Sequence, residues 1–156
     1  MASALVIIGL ALVILAGLLH VVIFLLESVL WRSRATWRRF GVESAEDAKV
    51  ARPWALNQGF YNLFLAIGAI LGGLGGIVAT TRPPAWGAYV PLSDTAFAPP
   101  ILLDGWGLVA AFCALCMVGA AIVLIVSSRG RLLRGALVQG AAPLVGLVLL
   151  GIGLLA

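Results

Sequence analysis

Four uninterrupted apolar runs limit what this 156-residue chain can fold into: Ala4–Leu30, Leu56–Thr80, Trp106–Val126 and Ala136–Ala156. Each reaches or exceeds the ~20 residues with which a helix crosses ~30 Å of hydrocarbon. The bilayer core offers no water to backbone N–H and C=O groups, so a spanning segment is a helix or a strand of a closed barrel. The runs are continuous and lack the alternation of barrel strands, which predicts helices. Composition agrees, with 63% of residues hydrophobic and only 10% charged; soluble domains are about 25% charged. One water-soluble domain is excluded, and so is a disordered tail. The expected architecture is all-α, an integral membrane four-helix bundle forming one transmembrane domain over residues 1–156. Its helices are expected at about 4–30, 56–80, 106–126 and 136–156, in a multi-pass protein of the cell membrane. The first run has no basic leader and ends in Trp31, Arg32 and Arg34. It reads as a retained helix rather than a signal peptide.

Orientation follows from the basic residues. The first loop holds Arg32, Arg34, Arg38, Arg39, Lys49 and Arg52, the third holds Arg129, Arg131 and Arg134, and the second holds only Arg82. Loops one and three are therefore expected in the cytoplasm, with both termini outside. Because the positive charge is confined to those stretches, the net charge of +4 gives no basic face for nucleic acid. Trp31, Trp37 and Trp54 are expected at the inner membrane boundary, and Trp86, Tyr89 and Trp106 at the outer one. Ser44, followed by Glu46 and Asp47, suits a short capped helix at the inner surface. The second loop, about Thr81 to Gly105, is rich in proline (Pro83, Pro84, Pro91, Pro99, Pro100).

Polar residues within the apolar runs carry the functional signal. On the first helix these are His20 and Glu27. Seven residues at 100° each return to within about 20°, so the two share a face, together with Gly9 and Ala16. The second helix opens with Asn57, Gln58, Tyr61 and Asn62. Extending the Asn57–Tyr61 stripe reaches Gly68, Gly72 and Gly76, a small-residue ladder of the kind that admits a neighbouring helix. On the fourth helix Gln139, Pro143, Gly146 and Gly153 form one stripe. At 1.5 Å per residue, Glu27 and Gln139 lie ~5 Å from the inner ends of their helices, Asn57 to Asn62 ~2–9 Å and His20 ~15 Å. Three helices thus bring polar groups to one inner-leaflet slab.

Structural roles compete for each residue. Glu27 can pair with Arg32 or Arg34, or reach water. One carbonyl would satisfy His20, the amides can bind helix to helix, and Tyr61 can sit at the interface. Cys113 and Cys116 match C-x-x-C, but thiols in mid-membrane serve as small packing residues. Gly72-Gly73 and Gly75-Gly76 lack the lysine of a phosphate loop. With one histidine and one membrane carboxylate, no metal or other cofactor is expected.

The run Asn57-Gln58-Gly59-Phe60-Tyr61-Asn62-Leu63-Phe64-Leu65-Ala66 resembles the signature of a family of small bacterial and fungal membrane proteins, a domain of unknown function (thirteen-oh-four). That family's first helix carries a histidine and then a glutamate before the basic loop, as His20 and Glu27 do. Its last helix opens with a Gln-Gly pair and a proline, similar to Gln139-Gly140 and Pro143. The resemblance covers nearly the whole chain. It implies four helices in a membrane and no established activity.

Three functional readings fit these residues, and they leave open whether the chain is an enzyme. In the first, His20, Glu27 and Tyr61 act as acid–base groups while Asn57, Gln58, Asn62 and Gln139 orient a small lipophilic ligand, with isomerase-like chemistry. In the second, a homo-oligomer, specifically a homodimer, exports substrates against protons through Glu27. In the third, the chain is a non-catalytic accessory or scaffold subunit. Membrane lipid is a partner in all three, and nucleic acid in none.

Overall fold

The computed structural model describes residues 2–81 and 105–156. Arg82, Trp86, Tyr89 and the prolines of the second loop lie outside the described residues. The chain forms α1 (Ala2–Phe24), which runs into a π turn (Leu25–Val29), then α2 (Arg34–Arg39), α3 (Ala45–Thr81), α4 (Gly105–Ser127) and α5 (Leu133–Leu155). Among the described residues four helices are long and apolar enough to cross a membrane: α1 with its π turn, α3, α4 and α5. The described residues form an all-helical bundle of a multi-pass membrane protein. Each long helix packs on its neighbours in the chain, and α1 also packs on α5, which closes the ring.

Polarity is reversed relative to a soluble protein. Ile8, Leu15, Leu18, Val22, Phe64, Leu71, Phe112, Leu115 and Val123 are exposed, as suits side chains facing acyl tails. The centre is built from smaller groups: Val6, Leu10, Val13 and Ala16 of α1 meet Ala69, Ala110, Ala114, Met117 and Leu150. Lipid is as apolar as leucine, so no hydrophobic force draws such helices together, and close backbone approach at small residues does so instead. A Cβ on Gly9 would lie 2.9 Å from the Gly146 carbonyl oxygen. A Cβ on Gly72 would lie 2.7 Å from the Ala110 nitrogen and 2.9 Å from the Trp106 carbonyl oxygen. Gly73 faces Ile14 and the Leu10 carbonyl of α1. The glycines of α3 therefore serve two seams, one toward α1 and one toward α4.

Two details differ from the sequence reading. α3 begins at Ala45, well before residue 56, because the capped surface helix is its own first turns. Ser44 Oγ accepts from the Asp47 amide at 3.0 Å and starts the helix. Pro53 is passed without a break; it is exposed, so water can satisfy the Lys49 carbonyl that a proline leaves without a helical donor. The separate short helix is α2, which ends in Gly41 at φ 80, where the Val42 amide donates back to the Trp37 carbonyl at 3.2 Å. The second difference concerns the ladder on α3. Ala55, Gly59, Asn62, Ala66, Ala69, Gly73 and Gly76 are buried, as is Gly72, whereas Asn57 and Tyr61 are exposed. One residue is a 100° step, so the face centred on Asn62 turns Tyr61 outward.

The first loop folds as a second small core. Trp31 and Trp37 are buried among Ala48, Ala55, Phe40 and Val42, whereas Trp54 is exposed. A Cβ on Gly41 would lie 3.8 Å from Leu132, so the first and third loops meet at one end of the bundle, which carries their nine basic residues.

Seam and surface glycines should respond oppositely to a methyl group. Gly72→Ala should lose about 1–3 kcal/mol, because the clashing atoms are backbone. At Gly119 nothing lies within 4 Å, and Gly119→Ala should gain up to ~1 kcal/mol from helix propensity. Reversible denaturant unfolding in mixed micelles measures both, and equal responses would contradict the packing described.

Candidate functional site

Glu27 sits inside the π turn, where the Leu30 amide donates to the Leu25 carbonyl at 2.8 Å, five residues back. Such turns widen a helix locally and recur at functional sites. This one lies tight against α3. The residue opposite it is Gly59, whose added Cβ would run into Ser28 Oγ and come within 3.2 Å of Glu27 Cβ. Ser28 Oγ donates to the Leu56 carbonyl at 3.3 Å.

One turn beyond Gly59, Asn62 Nδ2 donates to Glu27 Oε2 at 2.8 Å. The same amide nitrogen is 3.2 Å from the Gln58 carbonyl, which holds the side chain in place. Glu27 and Asn62 are each 8% exposed, so a buried carboxyl meets a buried amide. Arg32 and Arg34 are exposed, and no ion pair forms among the described residues. The carboxyl has a neutral partner where the sequence also allowed an arginine.

Beside this pair lies a shallow hollow of about 330 Å³, largely open on one side and lined by Glu27, Trp31, Phe40, Ala51, Trp54, Ala55, Asn57 and Gln58. Its shape follows from local structure. Trp31 Nε1 donates to the Ala48 carbonyl at 2.9 Å, and its ring lies 5.5 Å from that of Phe40. Ala51 and Ala55, one turn apart on α3, add small side chains to the lining. A volume near 300 Å³ is at the small end of ligand sites, which are typically apolar with a few placed polar groups.

The structure thus brings Glu27, Asn57, Gln58 and Asn62 together. The other three candidates lie elsewhere. His20 is 1% exposed, and its Nδ1–H donates to the Ala16 carbonyl at 2.9 Å, within its own helix. It does not line the pocket. Tyr61 is 57% exposed, one step around α3 from Asn62, and points away from the carboxyl. Gln139 is half-buried on α5. The register that sets Gly9 beside Leu150 and Gly146 beside Val13 brings Gln139 level with His20. Pro143, fully buried, leaves the Gln139 carbonyl without a helical donor. The sequence reading missed Trp31, Phe40, Ala51, Trp54 and Ala55 as pocket residues. A usable signal was present: two tryptophans, a phenylalanine and small residues at i, i+4 flank the one membrane carboxylate.

The π turn, Gly59 and Asn62 all fall within one stretch that matches a known family. Residues 14–90 match the family described as Protein of unknown function (DUF1304). The DUF1304 match includes His20, Glu27, the run from Asn57 to Asn62 and every residue lining the pocket. Gln139 and Pro143 lie outside it. No curated protein and no solved structure matches the chain.

A double-mutant cycle over Glu27→Ala and Asn62→Ala, each of which removes the bond, tests the central pair. Bonds between membrane helices average ~0.6 kcal/mol and reach ~1.7. The coupling should therefore be about 0.6–1.7 kcal/mol. A coupling near zero would mean that the 2.8 Å contact contributes nothing net.

Proposed function

We propose that this membrane protein binds a small amphipathic molecule in the pocket beside Glu27. The observation that carries the reading is the junction of a buried, amide-held carboxyl with an aromatic-walled space. Apolar walls take the ligand's body, and Glu27, Asn57 and Gln58 orient its polar end. Binding is favoured over acid–base turnover. A general acid and base must both reach the reacting atoms, and His20 spends its Nδ1–H on the Ala16 carbonyl while Tyr61 faces outward. A scaffold whose polar groups only satisfy one another needs no space beside them, so the pocket weighs against that reading.

Ligand occupancy has a direct test. The wild-type chain and Ala51→Phe, which fills the pocket from a half-buried position, are purified from native membranes and their bound organics identified by mass spectrometry. An amphiphile should accompany the wild type at near one per chain and drop at least ~10-fold in the variant, which should keep its thermal unfolding midpoint. Identical profiles would sink the reading.

The reading places the basic end, and with it the mouth of the pocket, on the cytoplasmic side of the cell membrane by the positive-inside bias. In a Cys113→Ala, Cys116→Ala background, single cysteines at Arg38 and Arg131 should resist an impermeant maleimide in intact cells and react after lysis. A cysteine at Ser3 should react in intact cells. Reversed labelling would invert the topology.

A further inference from the structure

We infer that the pocket beside Glu27 receives a positively charged nitrogen, the ammonium head of an amphiphile. This rests on the ligand-binding reading above and adds the chemical class.

Three observations converge. First, the pocket has an acceptor to spare. A carboxyl group offers two oxygens, and Asn62 occupies Oε2; among the described residues no donor reaches Oε1. Second, three aromatic residues contribute to the lining. Trp31, Phe40 and Trp54 line the same space as Glu27. The Trp31 ring is fixed by its bond to Ala48 and by Phe40. Aromatic faces carry negative quadrupole density, and rings grouped around a small space are the recurring receptor for ammonium groups, quaternary ones included. Third, the protein supplies no cation of its own there. The basic end is crowded with arginines, yet none of the described arginines or lysines lines the pocket.

These features discriminate among head groups. An anionic head would be set against the carboxyl, at a penalty that grows as water is excluded. A neutral hydroxylated head would use Oε1, Asn57 and Gln58 but gain less from the aromatic lining. A positive nitrogen gains from the carboxyl by charge, and by a hydrogen bond to Oε1 as well where it carries an N–H, and Trp54, 75% exposed, stands at the rim beside it. Two sources share this chemistry: the head of a zwitterionic phospholipid and a free lipophilic amine.

The experiment uses the full chain in dodecyl maltoside micelles, a neutral medium, with tryptophan fluorescence as readout. The probes are octanoylcholine and 3,3-dimethylbutyl octanoate, which differ only in a nitrogen cation replaced by carbon. The wild type should bind the choline ester about tenfold or more tightly than its isostere. In Glu27→Gln that ratio should fall toward one, with isostere binding unchanged. Trp54→Ala, at an exposed position that does not threaten folding, should weaken choline binding several-fold and the isostere less. Equal binding of the two probes to the wild type would overturn the cation inference while leaving a pocket for apolar ligands. If neither probe binds in a manner sensitive to Ala51→Phe, the ligand reading itself falls. Native mass spectrometry after reconstitution in equal phosphatidylethanolamine and phosphatidylglycerol separates the sources. Retention of phosphatidylethanolamine, lost in Glu27→Gln, supports a phospholipid head. Choline-ester binding with no lipid preference supports a free amine.

Discussion

Everything in this bundle depends on how closely its backbones approach. Inside hydrocarbon, neither burying leucine nor exposing it changes the free energy much, so helices associate through dispersion and polar contacts at short range. Gly9 against Gly146 and Gly72 against Ala110 are the points where that range is reached. The side chains that fill the centre are correspondingly small, with Leu10, Val13, Met117 and Leu150 the larger exceptions. The larger apolar groups point outward, where lipid solvates them as well as protein would.

The site is a consequence of the same constraint at the basic end. Gly59 lets the π turn lie against α3, and that approach puts Asn62 within 2.8 Å of Glu27. Removing a carboxyl from water is expensive unless hydrogen bonds replace the lost solvation. One amide bond and an opening to the pocket meet that need without an ion pair. The arginines stay in solvent, where their own hydration is kept. The second core of Trp31, Trp37 and Ala48 anchors the first loop over this region and turns what would be a mobile connection into one wall of a pocket.

Legibility from sequence varied with the physics behind each residue. Helix number came from run length, since backbone desolvation leaves no alternative. Glu27 and Asn62 stood out because polar side chains in apolar runs are costly. Their meeting across two helices was legible only as a shared depth. Tyr61 was misplaced for a simple reason. Periodicity defines the spacing of a face but not which of several polar stripes turns inward, and the stripe through Asn57 and Tyr61 lost to the one through Gly59 and Asn62. His20 was grouped with Glu27 by an ideal 100° step, whereas the intervening π turn and its own bond to Ala16 separate their roles. The early start of α3 escaped notice because hydropathy registers the membrane and not the helix, which continues into water.

Taken alone, the chain of residues determined that there are four membrane-crossing helices, that the basic loops share one end, and which polar groups are anomalous. Those properties follow from transfer free energies, which are additive along the chain. Tertiary structure decided which anomalies meet, which face solvent or lipid, and that a space bounded by Trp31, Phe40 and Trp54 opens beside Glu27. Such outcomes turn on close backbone approach between segments far apart in the chain, a quantity no local pattern encodes.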